Sequence, residues 1–189
     1  MPYDRVWFLT WHTYGTWLPG NEKGFVSAIR NSAGEAEIHN IPGTRIDSDS
    51  PHLEAWSRRQ LKSKPIILNK SQAHTLCEQF LETAKIRNWT PLALAIVTTH
   101  VHVVLGVPGD PEPEVLLGDL KRFGSQALNR SFTRPSSGTW WTESGSKRRL
   151  AHESAILGAI RYTIEQQGAL VIWTAPIPEL NLVGGYLLR

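Results

Sequence analysis

Residues 91–107 read Pro-Leu-Ala-Leu-Ala-Ile-Val-Thr-Thr-His-Val-His-Val-Val-Leu-Gly-Val, two apolar runs (91–98 and 100–107) with almost nothing between them. Runs this rich in β-branched residues read as strands, and so short a link makes a tight hairpin the natural connection. Both are far shorter than the roughly 18 apolar residues that cross a bilayer, so nothing in the chain is expected to span a membrane. In the second run Val101, Val103 and Leu105 alternate with His100 and His102. The period of two puts the apolar side chains on one face, where a sheet packs its helices, and both imidazoles on the other.

Around this hairpin the remaining elements follow. Residues 5–13, rich in aromatic and β-branched side chains, read as a strand that ends in Tyr14-Gly15-Thr16-Trp17-Leu18-Pro19-Gly20. From Asn21 to about Ser50 no periodicity survives among Gly, Ser, Asn, Asp and Pro, which predicts a long loop. Ser50-Pro51 supplies an N-cap and first-turn proline for a short helix through about Lys62. Asn69 opens a clearer helix, with Gln72 at the capping-box offset and Ala73, Leu76, Cys77, Phe80, Leu81 and Ala84 at helical spacing. A second helix is predicted over 113–130, apolar at Leu116, Leu120, Phe123 and Ala127. A third covers about 153–167, apolar at Ile156, Ala159, Ile160 and Thr163. The tail, 168–189, carries strand-like pieces of weak pattern. This order predicts an α+β chain with an antiparallel sheet and helices on one face, closest to the ferredoxin-like split βαβ plan. Residues 1–189 are expected to form one domain, with 21–68 as an insertion after the first strand.

Composition closes several doors. With 41% hydrophobic and 20% charged residues and a mean hydropathy of −0.25, the chain lies in the globular range. One cysteine, Cys77, excludes an intramolecular disulfide and a multi-cysteine zinc site. Together with an N-terminus lacking a secretory pattern, this leads to the expectation of a cytoplasmic protein. The formal net charge is only +3. Between Gly118 and Arg149, however, seven basic residues face two acids, a local excess larger than that of the whole chain. Such a stretch suits a phosphate-binding face as well as a solvated surface. Of the 8 tryptophans, most are expected in the core, a few on unpaired bases.

Two same-face histidines have chelating geometry but need a third ligand. In the third helix Tyr162 and Gln166 are four residues apart and so share a face, at the edge of the apolar stripe. His100-Val101-His102, followed by a helix bearing Tyr162 with an amide one turn on, resembles the single-tyrosine HUH nucleases. These comprise the IS200/IS605-type transposases and their relatives, the REP-associated tyrosine transposases. Leu120-Lys121-Arg122-Phe123, Asn129, Trp140-Trp141 and Lys147-Arg148-Arg149 are similar to segments of the REP-associated group, as is the Phe8 to Gly20 opening. Gln166, where that group carries Asn in Tyr-Ile-x-x-Asn-Pro, resembles the IS200/IS605 arrangement instead.

The resemblance implies a metal-dependent endonuclease and strand transferase acting on single-stranded, hairpin-containing DNA. Tyr162 would be the nucleophile, forming a 5′-phosphotyrosine and freeing a 3′-hydroxyl. His100, His102 and Gln166 would hold Mg²⁺ or Mn²⁺, which offsets phosphate charge. Lys121, Arg122, Arg130, Lys147, Arg148 and Arg149 would contact DNA phosphates. Relatives work as homodimers with exchanged tyrosine helices or as lone chains, and both arrangements stand open. The alternative is a domesticated hairpin-binding protein without transposition activity. A ferredoxin-like RNA-binding domain is weaker, because its aromatic strand motif is missing.

Overall fold

The computed structural model describes residues 3–20, 28–30, 36–38 and 51–187. In chain order the elements are β1 (Arg5–His12), β2 (Ala28–Arg30), β3 (Ala36–Ile38), α1 (Pro51–Arg59), α2 (Lys70–Ile86) and β4 (Thr90–Val97). They continue with β5 (His100–Val107), α3 (Pro113–Ser131), β6 (Ser146–Leu150), α4 (Glu153–Ile164), β7 (Ala169–Thr174) and β8 (Gly185–Tyr186). The apolar hairpin is β4–β5, turned by Thr98 and Thr99 alone, with Ile96 opposite Val101. Asn69 caps α2 through the reciprocal box: its side chain accepts from the Gln72 backbone while the Gln72 side chain accepts from the Asn69 backbone N–H, both at 2.9 Å.

Six strands form one antiparallel sheet in the order β6-β1-β5-β4-β7-β8. Its first four strands, with α2 and α3, are the expected α+β split βαβ arrangement. Helix α2 connects β1 to β4, and α3 connects β5 to β6. Both pack on the face built from Leu9, Trp11, Leu94, Ile96, Val101, Val103 and Leu105, around Leu76, Phe80, Leu116 and Leu120. The helices do not all keep to one face as the sequence predicts. Helix α4 covers the opposite face, burying Ala159 and Ile160 against Val6, Ala93, Val104 and Leu150. The physical reason lies in β4 and β5, where nearly every residue is buried, so both faces need a cover.

Two further differences concern the ends. The tail supplies a regular strand: β7, Ala-Leu-Val-Ile-Trp-Thr, lies beside β4 with Val171 and Ile172 buried. Its apolar run is continuous because the strand is covered on both sides, which hides the alternation expected of a half-buried strand. Within 21–68, β2 and β3 pair as a separate two-stranded ladder and α1 ends at Arg59. Most of the loop predicted over 21–50 lies outside the described residues. Among the described residues no helix is long and apolar enough to cross a membrane.

Candidate active site

Strand register builds the site. In the β1–β5 ladder Thr10 faces His102 and His12 faces His100, so alternation places Phe8, Thr10 and His12 on the same sheet face as the two histidines. This is the face that α4 covers. The His100 and His102 rings lie edge to face with centroids 4.8 Å apart, and His12 approaches His100 at 5.4 Å.

Each histidine of the pair is held at Nδ1 by a threonine hydroxyl. Thr10 Oγ1 lies 2.8 Å from His102 Nδ1, and Thr99 Oγ1 lies 3.0 Å from His100 Nδ1. With the proton on Nδ1 donated to Thr10, His102 keeps its Nε2 lone pair available. That Nε2 is buried and has no hydrogen-bond partner of good geometry. His102 itself is only 5% exposed. Burial, then His100, then His12 lower its pKa to about 3, against an opposing influence of the nearby Gln166 side chain. Burial and His100 lower His12 to about 4. At neutral pH His12 and His102 are therefore uncharged bases.

Tyr162 completes the group from α4. Its ring stands edge-on to His102 with centroids 5.4 Å apart and edge-on to Phe8 at 5.9 Å, while the residue stays 53% exposed. Phe8 stacks against His102 at 5.5 Å on the same side. The tyrosine thus leans on an aromatic floor while remaining half-exposed. Gln166 reaches the pair by a different route from the one-face helical geometry predicted. Helix α4 ends at Ile164, so Gln166 sits in the following turn, where its Nε2 donates to Tyr162 O at 3.2 Å. Gly168, at a φ of +70°, then leads into β7. Tyr162, Gln166, His100 and His102 of a single chain come together.

The six basic residues do not form one face. Only Arg148 shares the histidine side: it pairs opposite Phe8, with its guanidinium 5.5 Å from that ring. Lys147 and Arg149 alternate to the other side, and Lys147 binds Glu114 of α3 at 2.8 Å. Lys121, also on α3, donates to the carbonyls of Thr142, Glu143 and Ser144 at 2.6, 3.0 and 3.3 Å. Burial lowers it to about 8, with Glu143 opposing and Lys147 adding. Arg122 pairs with Asp119 and lies 4.3 Å over Phe123, and Arg130 donates to Gln79 at 2.7 Å. Trp140 and Trp141 are core residues whose indole N–H groups donate to Asn129 Oδ1 and Lys121 O. Sequence reasoning did not identify Thr10, Thr99 or Phe8 as part of the site. Phe8 and Thr10 alternate with His12 along β1, but their placement depends on which strand β1 pairs with, and Thr99 joins them from the β4–β5 turn.

Thr10 gives a direct check on how the histidines are oriented. Replacing it with Val keeps shape but removes the hydroxyl on His102 Nδ1, and the fold should survive. Divalent-metal affinity measured by calorimetry is expected to fall about 10- to 100-fold. An unchanged affinity would show that the Thr10 contact does not prepare His102 for a ligand.

No family model matches the chain, and no curated protein matches it. Among solved structures, it is similar to that of a REP-associated tyrosine transposase bound to a REP hairpin, at 12% identity and a TM-score of 0.45, over 85% of this chain and 66% of that one. It is also similar to the crystal structure of a "putative transposase" from Deinococcus radiodurans R1, at 15% identity and a TM-score of 0.46, over 88% of this chain and 93% of that one.

Proposed function

We propose that this chain is a metal-dependent endonuclease and strand transferase for single-stranded DNA, with Tyr162 as its nucleophile and a hairpin-bearing strand as substrate. One observation carries the reading: the half-exposed Tyr162 ring stands against His102, whose buried Nε2 makes no hydrogen bond of good geometry, with the Gln166 side chain beside it.

The residues present fit a divalent metal. The neutral, threonine-oriented His102 imidazole keeps a buried nitrogen that the Gln166 side chain approaches without a hydrogen bond of good geometry, which leaves it suited to take a ligand together with Gln166. His100, His102 and Gln166 would hold Mg²⁺ or Mn²⁺. Bound there, the ion would offset charge on the scissile phosphate. The chain's own groups do the rest. Phe8 and His102 orient the Tyr162 ring, and the Arg148 guanidinium beside Phe8 attracts the phosphodiester. Tyr162 Oη bonds to phosphorus as the P–O3′ bond breaks. The phenol proton leaves to solvent and the departing 3′ oxygen takes one up, giving a 5′-phosphotyrosine and a free 3′-hydroxyl. Attack by a 3′-hydroxyl on that phosphotyrosine reverses the step, so no nucleotide energy is consumed. Because the four residues meet within one chain, the reading needs no second copy.

The test is incubation with an end-labelled single-stranded hairpin and Mn²⁺. We expect a labelled, denaturant-resistant protein adduct that disappears with excess chelator and returns on adding Mn²⁺ or Mg²⁺. Hairpin binding without nicking under every metal condition would support the domesticated binding protein instead. Nicking that persists in chelator would exclude the metal's role.

A further inference from the structure

A cavity of about 620 Å³ opens next to the histidine site, on the side of the sheet where α3 packs. That volume is in the range of small-ligand pockets. Its walls include Tyr14, Trp17 and Trp141, with Arg122 at the rim and the hydroxyls of Ser125 and Thr139 among its lining. The aromatic rings are fixed in advance. Tyr14 Oη accepts from the Lys62 backbone at 2.8 Å, and Trp141 Nε1 donates to Lys121 O at 2.9 Å. Trp17 stacks on His12 with centroids 4.6 Å apart and planes at 25°. Since His12 in turn lies 5.4 Å from His100, Trp17 belongs to both the histidine site and the cavity.

We propose that this cavity holds one unpaired nucleobase of a DNA strand whose phosphodiester lies at the histidine site. Three features select that ligand. The preordered, partly exposed rings of Tyr14 and Trp17 suit a flat ring and lose little entropy on binding, while Trp141 is a buried part of the wall. The hydroxyls of Ser125 and Thr139, in a wall that also carries Leu18, Leu61, Lys121 and Glu143, suit the polar edge of a base. The Arg122 guanidinium, which also meets Asp119 at 3.0 Å, adds positive charge suited to the phosphate attached to it. Trp17 stands at the strand end between the two sheet faces, so a chain of nucleotides passing over it links Arg148 and Tyr162 on one side with α3 on the other. The proposal rests on the reading of the chain as acting on single-stranded DNA.

The experiment uses the Tyr162→Phe chain, in which the strand stays intact, and fluorescence anisotropy with a labelled single strand of about 12 nucleotides. Each position in turn is made abasic. We expect one position near the scissile phosphate to lose roughly tenfold in affinity, with the loss absent when the chain also carries Tyr14→Ala. Equal affinity for every abasic strand, or no binding to any, overturns the pocket, and neither result depends on Tyr14→Ala folding. Adduct formation by the wild-type chain separates the two ideas. Adducts that form equally on all abasic strands reject the pocket and keep the transferase. A position-specific affinity loss without adducts keeps the pocket and rejects the transferase.

Discussion

Replacing Tyr162 with Phe is expected to abolish the covalent protein–DNA adduct and to lower strand cleavage by about a thousandfold or more. The substitution removes one hydroxyl from a half-exposed ring and leaves the edge contacts with Phe8 and His102 in place. Stability should therefore change by no more than about 0.5 kcal/mol. Loss of the adduct with an unchanged thermal melt isolates the chemical role of Oη. Affinity for the uncleaved strand should persist, because phosphate and base contacts do not involve that oxygen. An adduct of wild-type yield in the variant would remove Tyr162 from the chemistry.

The second large effect is expected at His102. His102→Ala deletes a buried site nitrogen that makes no hydrogen bond of good geometry, so Mn²⁺ binding followed by calorimetry should weaken by more than about a hundredfold. Adduct formation should fall with it. Far-UV circular dichroism should stay unchanged, since Val101, Val103 and Leu105 on the other face carry the packing of β5 against α2 and α3. Wild-type metal affinity in this variant would contradict the ligand assignment. Mixing His102→Ala with Tyr162→Phe chains adds a check on assembly. A site built within one chain predicts no recovery of activity, whereas a tyrosine helix exchanged between copies predicts partial recovery.

The parts of this structure that sequence makes legible are those governed by short-range periodicity. The β5 strand runs over 100–107 as its alternation requires, and α2 starts where the Asn69 and Gln72 capping signal puts it. The shared face of His100 and His102 follows from the same period of two. What escaped depends on long-range pairing. β6, Ser-Lys-Arg-Arg-Leu, has no apolar rhythm and exists because it pairs with β1, and that pairing sends Lys147 and Arg149 to one face and Arg148 to the other. A basic cluster in sequence is thereby divided in space. Lys121 likewise reads as a free cation until α3 docks and its ammonium meets three carbonyls of 142–144. The meeting of Tyr162 with His102 could be expected only from the family resemblance. Nothing in the spacing of α4 says which face of the sheet it covers, and helix termination before Gln166 was hidden in a run of helix-compatible residues.

The most direct measurement is peptide mapping of the covalent product. Wild-type protein is incubated with Mn²⁺ and a single-stranded hairpin, digested with nuclease and protease, and analysed by tandem mass spectrometry. The account predicts a nucleotide remnant joined through phosphate to the Tyr162 side chain. A remnant on any other residue, or cleavage to a free 3′-hydroxyl with no modified peptide, would contradict it.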